Sequence, residues 1–396
     1  MTAPGPGRLA VVLSHPTQYY SPWFRWLGAH TSLELRVFYL WEFGATVLRD
    51  AGFQRTFKWD VDLLSGYEHE FVPNASRHPG TERFWSLRNP SLTGQLSAWK
   101  PDAVLLFGYA YASHLRVIAW ARWHHVPLIF RGDSHFLGRP APGRVRAFLL
   151  RILYRQFAAV TYVGRANHAY FRTLGVPEDR LFFAPHAVNH ELFDPADPRH
   201  RAAAVDLRHS LGIPDSARVV LFAGKFVAAK QPRELVEAFL ALNQTGAVLV
   251  LVGDGPEAAA LRVAAQSAQP GRVHFLPFAN QTEMPARYLL ADVFVLPSRG
   301  LYETWGLAVN EAMHLGVPCL VSDRVGCQQD LVTEGETGWV FRSDDPAGLR
   351  SALDRALTAD LATFRLRVAA RIAGYTYAAA AAGLERALAA VRGAAP

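Results

Sequence analysis

Cysteine and lysine are scarce in this chain of 396 residues. The two cysteines, Cys319 and Cys327, form no paired framework and no metal-ligand spacing. A disulfide scaffold and a structural zinc site are thereby excluded, and a reducing compartment is the natural setting. Charge is moderate at 19% of residues while half the chain is apolar, which excludes a disordered polypeptide. Long apolar runs are missing near the start. Residues 9–13 are too short for a signal peptide or a membrane span and read better as a first strand, so a cytoplasmic protein is expected. No basic run with interleaved aromatics accompanies the net charge of +7, so a nucleic-acid face is not indicated. An anionic substrate or an anionic membrane surface remains as the partner of that charge.

The four lysines are Lys58, Lys100, Lys225 and Lys230, and every other cation is arginine. Lys225 and Lys230 share one loop, Gly224-Lys-Phe-Val-Ala-Ala-Lys-Gln-Pro-Arg233, directly after the apolar run 218–223. Two compact ammonium groups on a loop beyond a buried strand suit a diphosphate, although a solvated pair would also explain them. A second stretch points the same way. Residues 292–298 form an apolar strand ending in Pro297-Ser298, and Arg299-Gly-Leu-Tyr-Glu-Thr-Trp-Gly306 leads from it into a helix that Gly316 ends. A helix start presents unpaired N–H groups and a positive dipole end to an anion. Glu303 on the loop and Glu311 two turns on would accept from neutral hydroxyls beside it. Taken alone, the spacing is equally that of two solvated glutamates.

The length allows two domains. Strands at 8–14, 33–40, 101–107 and 126–130, with helices at 23–30 and 112–123, make a first α/β half. Strands at 218–223, 247–252, 272–278, 292–298, 317–322 and 338–341, with helices at 283–290, 346–357 and 378–391, make a second. The helix 144–157 carries arginines opposite an apolar face and serves either as an ordinary surface helix or as a membrane contact. Residues 42–97 show no sustained period and are assigned to acceptor selection.

The Glu-x7-Glu pair Glu303 and Glu311 with Gly306 between them, together with the Gly224, Lys225 and Lys230 loop, resembles the retaining GT-B glycosyltransferases of family four. That resemblance implies an α/β fold of the GT-B class, with two Rossmann-like doubly wound domains facing a central cleft. The first, 1–190, would bind the acceptor, and a C-terminal helix, 376–396, would pack back on it. A linker, 191–210, would join it to a nucleotide-sugar domain, 211–375. Glu311 would hold the ribose, Glu303 the donor-sugar hydroxyls, and Lys225 and Lys230 the diphosphate. Gly306 and Leu307 would form the helix mouth, and the backbone at Phe278 would meet the base edge. His135 matches the histidine that lies against the donor sugar, while His15, Gln18 and Asp133 face the acceptor. With Glu303, Lys225 and Lys230, His135 completes the catalytic set.

The implied reaction moves a sugar from a UDP- or GDP-sugar to a hydroxyl of a glycan, lipid-linked or small-molecule acceptor. It retains the anomeric configuration and needs no cofactor and no metal. Asp60-Val-Asp62 is therefore not read as a metal site, because the rest of the chain does not build the fold that uses one. Peripheral contact with the inner face of a membrane would involve the N-terminal domain. An epimerase or hydrolase on the same nucleotide site, and a non-catalytic carbohydrate-binding protein, are the alternatives. The family's two glycines followed by Glu are replaced here by Gly326, Cys327 and Asp330, which leaves the donor sugar open.

Overall fold

The computed structural model describes residues 7–46, 48–50, 55–140, 142–242, 244–300 and 303–393. Strands β1 (Arg8–Leu13) and β2 (Glu34–Tyr39) start a parallel sheet, and β3 (Leu48–Asp50) and β4 (Arg55–Phe57) form a separate antiparallel pair. The sheet continues with β5 (Glu68–Phe71), β6 (Ala103–Phe107), β7 (Leu128–Arg131), β8 (Ala159–Tyr162) and β9 (Leu181–Phe183), in the order β5-β2-β1-β6-β7-β8-β9. A second parallel sheet contains β10 (Arg218–Ala223), β11 (Ala247–Val252), β12 (Val273–Leu276), β13 (Val293–Leu296), β14 (Cys319–Ser322) and β15 (Gly338–Phe341). Its order is β12-β11-β10-β13-β14-β15. The strand β11, Ala-Val-Leu-Val-Leu-Val, is buried along its whole length, as a parallel strand covered by helices on both faces must be.

Both sheets reverse direction once. The chain builds outward from β1 to β5 and returns to place β6 beside β1; likewise β13 returns beside β10. At each reversal the loops leaving adjacent strands diverge, which opens a crevice beyond the carboxyl ends. Those crevices face each other across hydrogen bonds between the two halves. Thr304 Oγ1 donates to Asp133 Oδ2 at 2.8 Å, Asn310 Nδ2 to the His186 carbonyl at 3.1 Å, and Arg165 N to the Asp330 carboxylate at 3.1 Å.

Residues 42–97, which carry no readable period, contain β5 as an edge strand and a helix, Leu92–Trp99, besides the small hairpin. The expected linker is in large part a helix, Pro198–Ser210, started by Asp197, whose carboxylate accepts from Arg199 N at 2.8 Å, with Pro198 in the first turn. An additional helix, Leu361–Ile372, begins in the same way on Asp360. The last helix, Tyr377–Gly393, buries Tyr377, Ala380, Leu384 and Leu388 against Leu9, Val11 and Leu105 of the first sheet. Among the described residues no helix is long and apolar enough to cross a membrane.

Candidate active site

A cavity of about 380 Å³ lies where the two crevices meet, a size in the usual range for small-molecule sites. The loops after β1, β7, β10 and β13 bring Gln18, Asp133, Gly224, Lys225, Lys230, Glu303, Gly306, Leu307 and Glu311 to its wall, and Phe278 comes from the loop after β12. Gly306 has φ +96°, a left-handed turn that carries the chain from the loop into the helix Leu307–His314. Beneath the lysine loop, Gly253 has φ +147°, and a Cβ there would stand 1.9 Å from the Gly224 carbonyl oxygen. The Gly253-Asp-Gly255 turn thus serves to let the lysine loop pack close.

Glu311 is buried, with 3% of its surface exposed. Its carboxylate accepts from the Tyr288 hydroxyl at 2.7 Å and from Gln281 Nε2 at 3.2 Å. Burial raises the Glu311 carboxyl above its ordinary range, opposed by the bonds from Tyr288 and Gln281 and by the neighbouring Tyr19 hydroxyl. Tyr19 belongs to the loop after β1, so the opposite half of the molecule reaches across the cleft to this carboxylate. The donors this carboxylate receives are neutral hydroxyl and amide groups.

Glu303 is placed differently. Its Oε2 accepts from Lys230 Nζ at 2.7 Å and from Ser298 Oγ at 2.8 Å, in an ion pair whose side chains are only 26% and 15% exposed. Its backbone carbonyl lies 3.4 Å from His135 Nε2. Asp133, besides receiving Thr304, lies 3.4 Å from Nε2 of the buried His186. Burial by itself would raise the Asp133 carboxyl, yet the adjacent His186 and the bond from Thr304 outweigh it and the carboxyl lies below its ordinary value.

Two of the expected site residues do not line this cavity. His15 does not reach this cavity. Its ring packs edge-on against Trp41 at 5.9 Å and Phe43 at 5.2 Å, and Nδ1 pairs with Ser14 Oγ at 3.0 Å. His135 is buried beside the cavity and faces a second one. Burial lowers the His15 imidazole to about 4, so the folded protein resists a proton that the unfolded chain accepts near 6.5. This contribution is therefore fully present above pH 6.5 and is lost as pH falls toward 4, amounting to up to about 3 kcal/mol. Thermal melts at several pH values should show wild type losing ground to His15→Phe across that interval; parallel curves would contradict it.

Residues 205–375 match the family model for glycosyl transferases group 1. This part of the chain is a group 1 glycosyl transferase domain. Over 218 residues the chain is 31% identical to the D-inositol 3-phosphate glycosyltransferase of Xylanimonas cellulosilytica, a match that covers 53% of this chain and 52% of that protein. The chain thus spans about half the length of this curated relative. Solved structures share the fold over nearly the full length. A glycosyltransferase from Rickettsia africae superposes with a TM-score of 0.74 at 13% identity, covering 98% of this chain and 99% of that one. HepE of Anabaena in complex with UDP-glucose does so with a TM-score of 0.70 at 16% identity, covering 96% and 99%. The arrangement of two Rossmann-like domains about one cleft is the GT-B fold.

The group 1 domain does not form the cavity alone, and sequence reasoning missed several contributors. Tyr288 and Gln281 lie on and before the helix Met284–Leu290, and apart from their helical context no sequence signal marks them. Trp59 lines the cavity from the first half, 6.4 Å from the Phe278 ring, inside the stretch without period. Asp60 beside it accepts from Thr282 N at 3.2 Å and from Thr282 Oγ1, while Lys58 offers its carbonyl to Asn280 Nδ2 at 2.8 Å. Asp62 instead accepts from Leu64 N and Ser65 N. The two aspartates of the Asp-x-Asp triplet therefore serve separate structural ends. Asp330 likewise takes its bond from the start of the helix Arg165–Thr173.

Proposed function

We propose that this chain transfers a glycosyl group from a nucleoside diphosphate sugar to an acceptor hydroxyl, with retention at the anomeric carbon and without a metal ion. The observation that carries this reading is the pairing, in one cavity, of a buried carboxylate served by hydroxyl donors with a cationic wall of Lys225, Lys230 and the mouth of the helix Leu307–His314. Ribose hydroxyls are complementary to the first and a diphosphate to the second. In the proposed reaction the bond from the anomeric carbon to the diphosphate oxygen breaks, the acceptor oxygen bonds to the same face, and its proton passes to the departing phosphate. Lys225 and Lys230 would stabilise the charge that develops on that leaving group. The UDP-glucose bound by HepE favours uridine as the base, and the name of the Xylanimonas relative favours a polyol acceptor. The helix Arg144–Tyr154 exposes Val145, Phe148, Leu149 and Ile152 between its arginines, which supports peripheral membrane contact through the first half.

A thermal-shift screen of UDP- and GDP-sugars should identify a donor that raises the melting temperature, since a ligand of the folded state alone stabilises it. With that donor and a polyol acceptor in EDTA, turnover should continue at full rate, and NMR of the product should show the donor's own anomeric configuration. Activity that EDTA abolishes and magnesium restores, or donor consumed without any acceptor, would overturn the reading.

A further inference from the structure

A second cavity, of about 360 Å³, opens beyond the carboxyl ends of β6 and β7, where Tyr109, Ser134, His135, Phe136, Arg139 and Arg146 contribute to its wall. It adjoins the first through a single side chain. His135 lines it, and Nε2 of the same ring lies 3.4 Å from the carbonyl of Glu303, which lines the donor cavity. Among the described residues no carboxylate lines this second cavity. Many arginines elsewhere pair with acids, as Arg8 does with Glu34 and Arg36 with Glu68. Among the described residues, the Arg139 and Arg146 guanidiniums make neither an ion pair nor a hydrogen bond, and Arg139 Nε is buried without a partner. A buried guanidinium nitrogen left unsatisfied is costly, and an anion is its complement.

We propose that this cavity seats the anionic group, a phosphate or a carboxylate, of the acceptor, with Arg139 and Arg146 as its ligands. The inference rests on the reading of the first cavity as a donor site, and it places the acceptor's charged end on the far side of His135 from the donor sugar. Burial, and to a lesser degree the charge of Arg139, hold the His135 imidazole below its usual value. The ring therefore enters as a neutral wall, and the two guanidiniums supply the charge. The helix Arg144–Tyr154, which carries Arg146, begins on Gly143 with no side-chain cap and no acid in its first turn, so nothing there repels an anion. Tyr109, Phe136 and Tyr170 give the cavity apolar faces for the carbon skeleton of a polyol, the rings of Phe136 and Tyr170 standing 4.6 Å apart.

The test is calorimetric titration of the full chain, saturated with UDP to occupy the lysine loop, with glucose 6-phosphate and with glucose. Glucose 6-phosphate should bind about tenfold or more tighter than glucose, and Arg139→Gln/Arg146→Gln should erase that difference while leaving UDP affinity and the melting temperature unchanged. The single variant Arg146→Gln, at an exposed position of its helix, keeps the comparison available should the double variant fold poorly. Phosphate-dependent binding that survives both substitutions, or that is lost only on Lys225→Gln/Lys230→Gln, would overturn the proposal. Should UDP fail to bind wild type, the donor reading falls, and the glucose 6-phosphate comparison still judges this cavity by itself. Sedimentation with phosphatidylglycerol and with phosphatidylcholine vesicles separates the sources of the anion. Binding to the anionic vesicles alone, lost with the two arginines, supports a lipid headgroup. Indifference of both vesicles and glucose 6-phosphate to the two substitutions would end the proposal.

Discussion

Lys230→Ala is expected to lower kcat by about 10²-fold or more, the scale on which a lost transition-state charge contact is felt. Lys230 stands on the loop after β10 with its ammonium 2.7 Å from Glu303 Oε2 in a largely buried pair. Negative charge accumulates on a diphosphate as its bond to the sugar breaks, so a fixed cation at this point gains most in the transition state. Its removal also leaves Ser298 Oγ as the remaining side-chain donor to the Glu303 carboxylate among the described residues, in a site with little solvent to compensate. Steady-state kinetics of the purified variant should show kcat and kcat/KM falling together. A kcat equal to that of wild type would remove Lys230 from the reacting centre.

The second large effect separates the two glutamates. Glu311→Gln should weaken UDP and the intact UDP-sugar alike by about tenfold or more, because each carries the ribose that this carboxylate is proposed to hold. The amide would also turn a donor toward the Tyr288 hydroxyl and Gln281, both of which now point hydrogens at a carboxylate. Glu303→Gln should act oppositely on UDP. Losing the negative partner leaves Lys230 unneutralised and available to the diphosphate, so UDP affinity holds or rises while turnover drops. Calorimetry of both variants with both ligands decides the matter, and equal losses throughout would mean that the division of roles is wrong.

The two sheets were legible because a parallel strand covered on both faces must be apolar along its whole length. The runs at 218–223 and 247–252 coincide with β10 and β11 residue for residue. Recognising the lysine loop and the glutamate stretch depended on the same logic, since each directly follows such a run. The edge strand β5, Glu-His-Glu-Phe, has no such signature: it is only partly covered, and its polar side chains read as loop. The helix Pro198–Ser210 was hidden by Pro195, Pro198 and its charges, although Asp197 followed by Pro198 is a start signal.

Side-chain direction was a separate question. His15 and Gln18 leave the same strand end, yet Gln18 lines the first cavity and His15 turns back onto Trp41 and Phe43. Likewise the second cavity, with Arg139 and Arg146 facing no acid among the described residues, exists only once the loop after β7 is laid against the helix that follows it. By itself, then, the sequence determined the paired α/β halves and the loops that carry the two lysines and the two glutamates, because burial and backbone turns leave local patterns. Only the tertiary structure decided which of those groups share a cavity, and it brought in Tyr19, Trp59, Gln281 and Tyr288, because a loop's side chains are aimed by packing against elements distant in the chain.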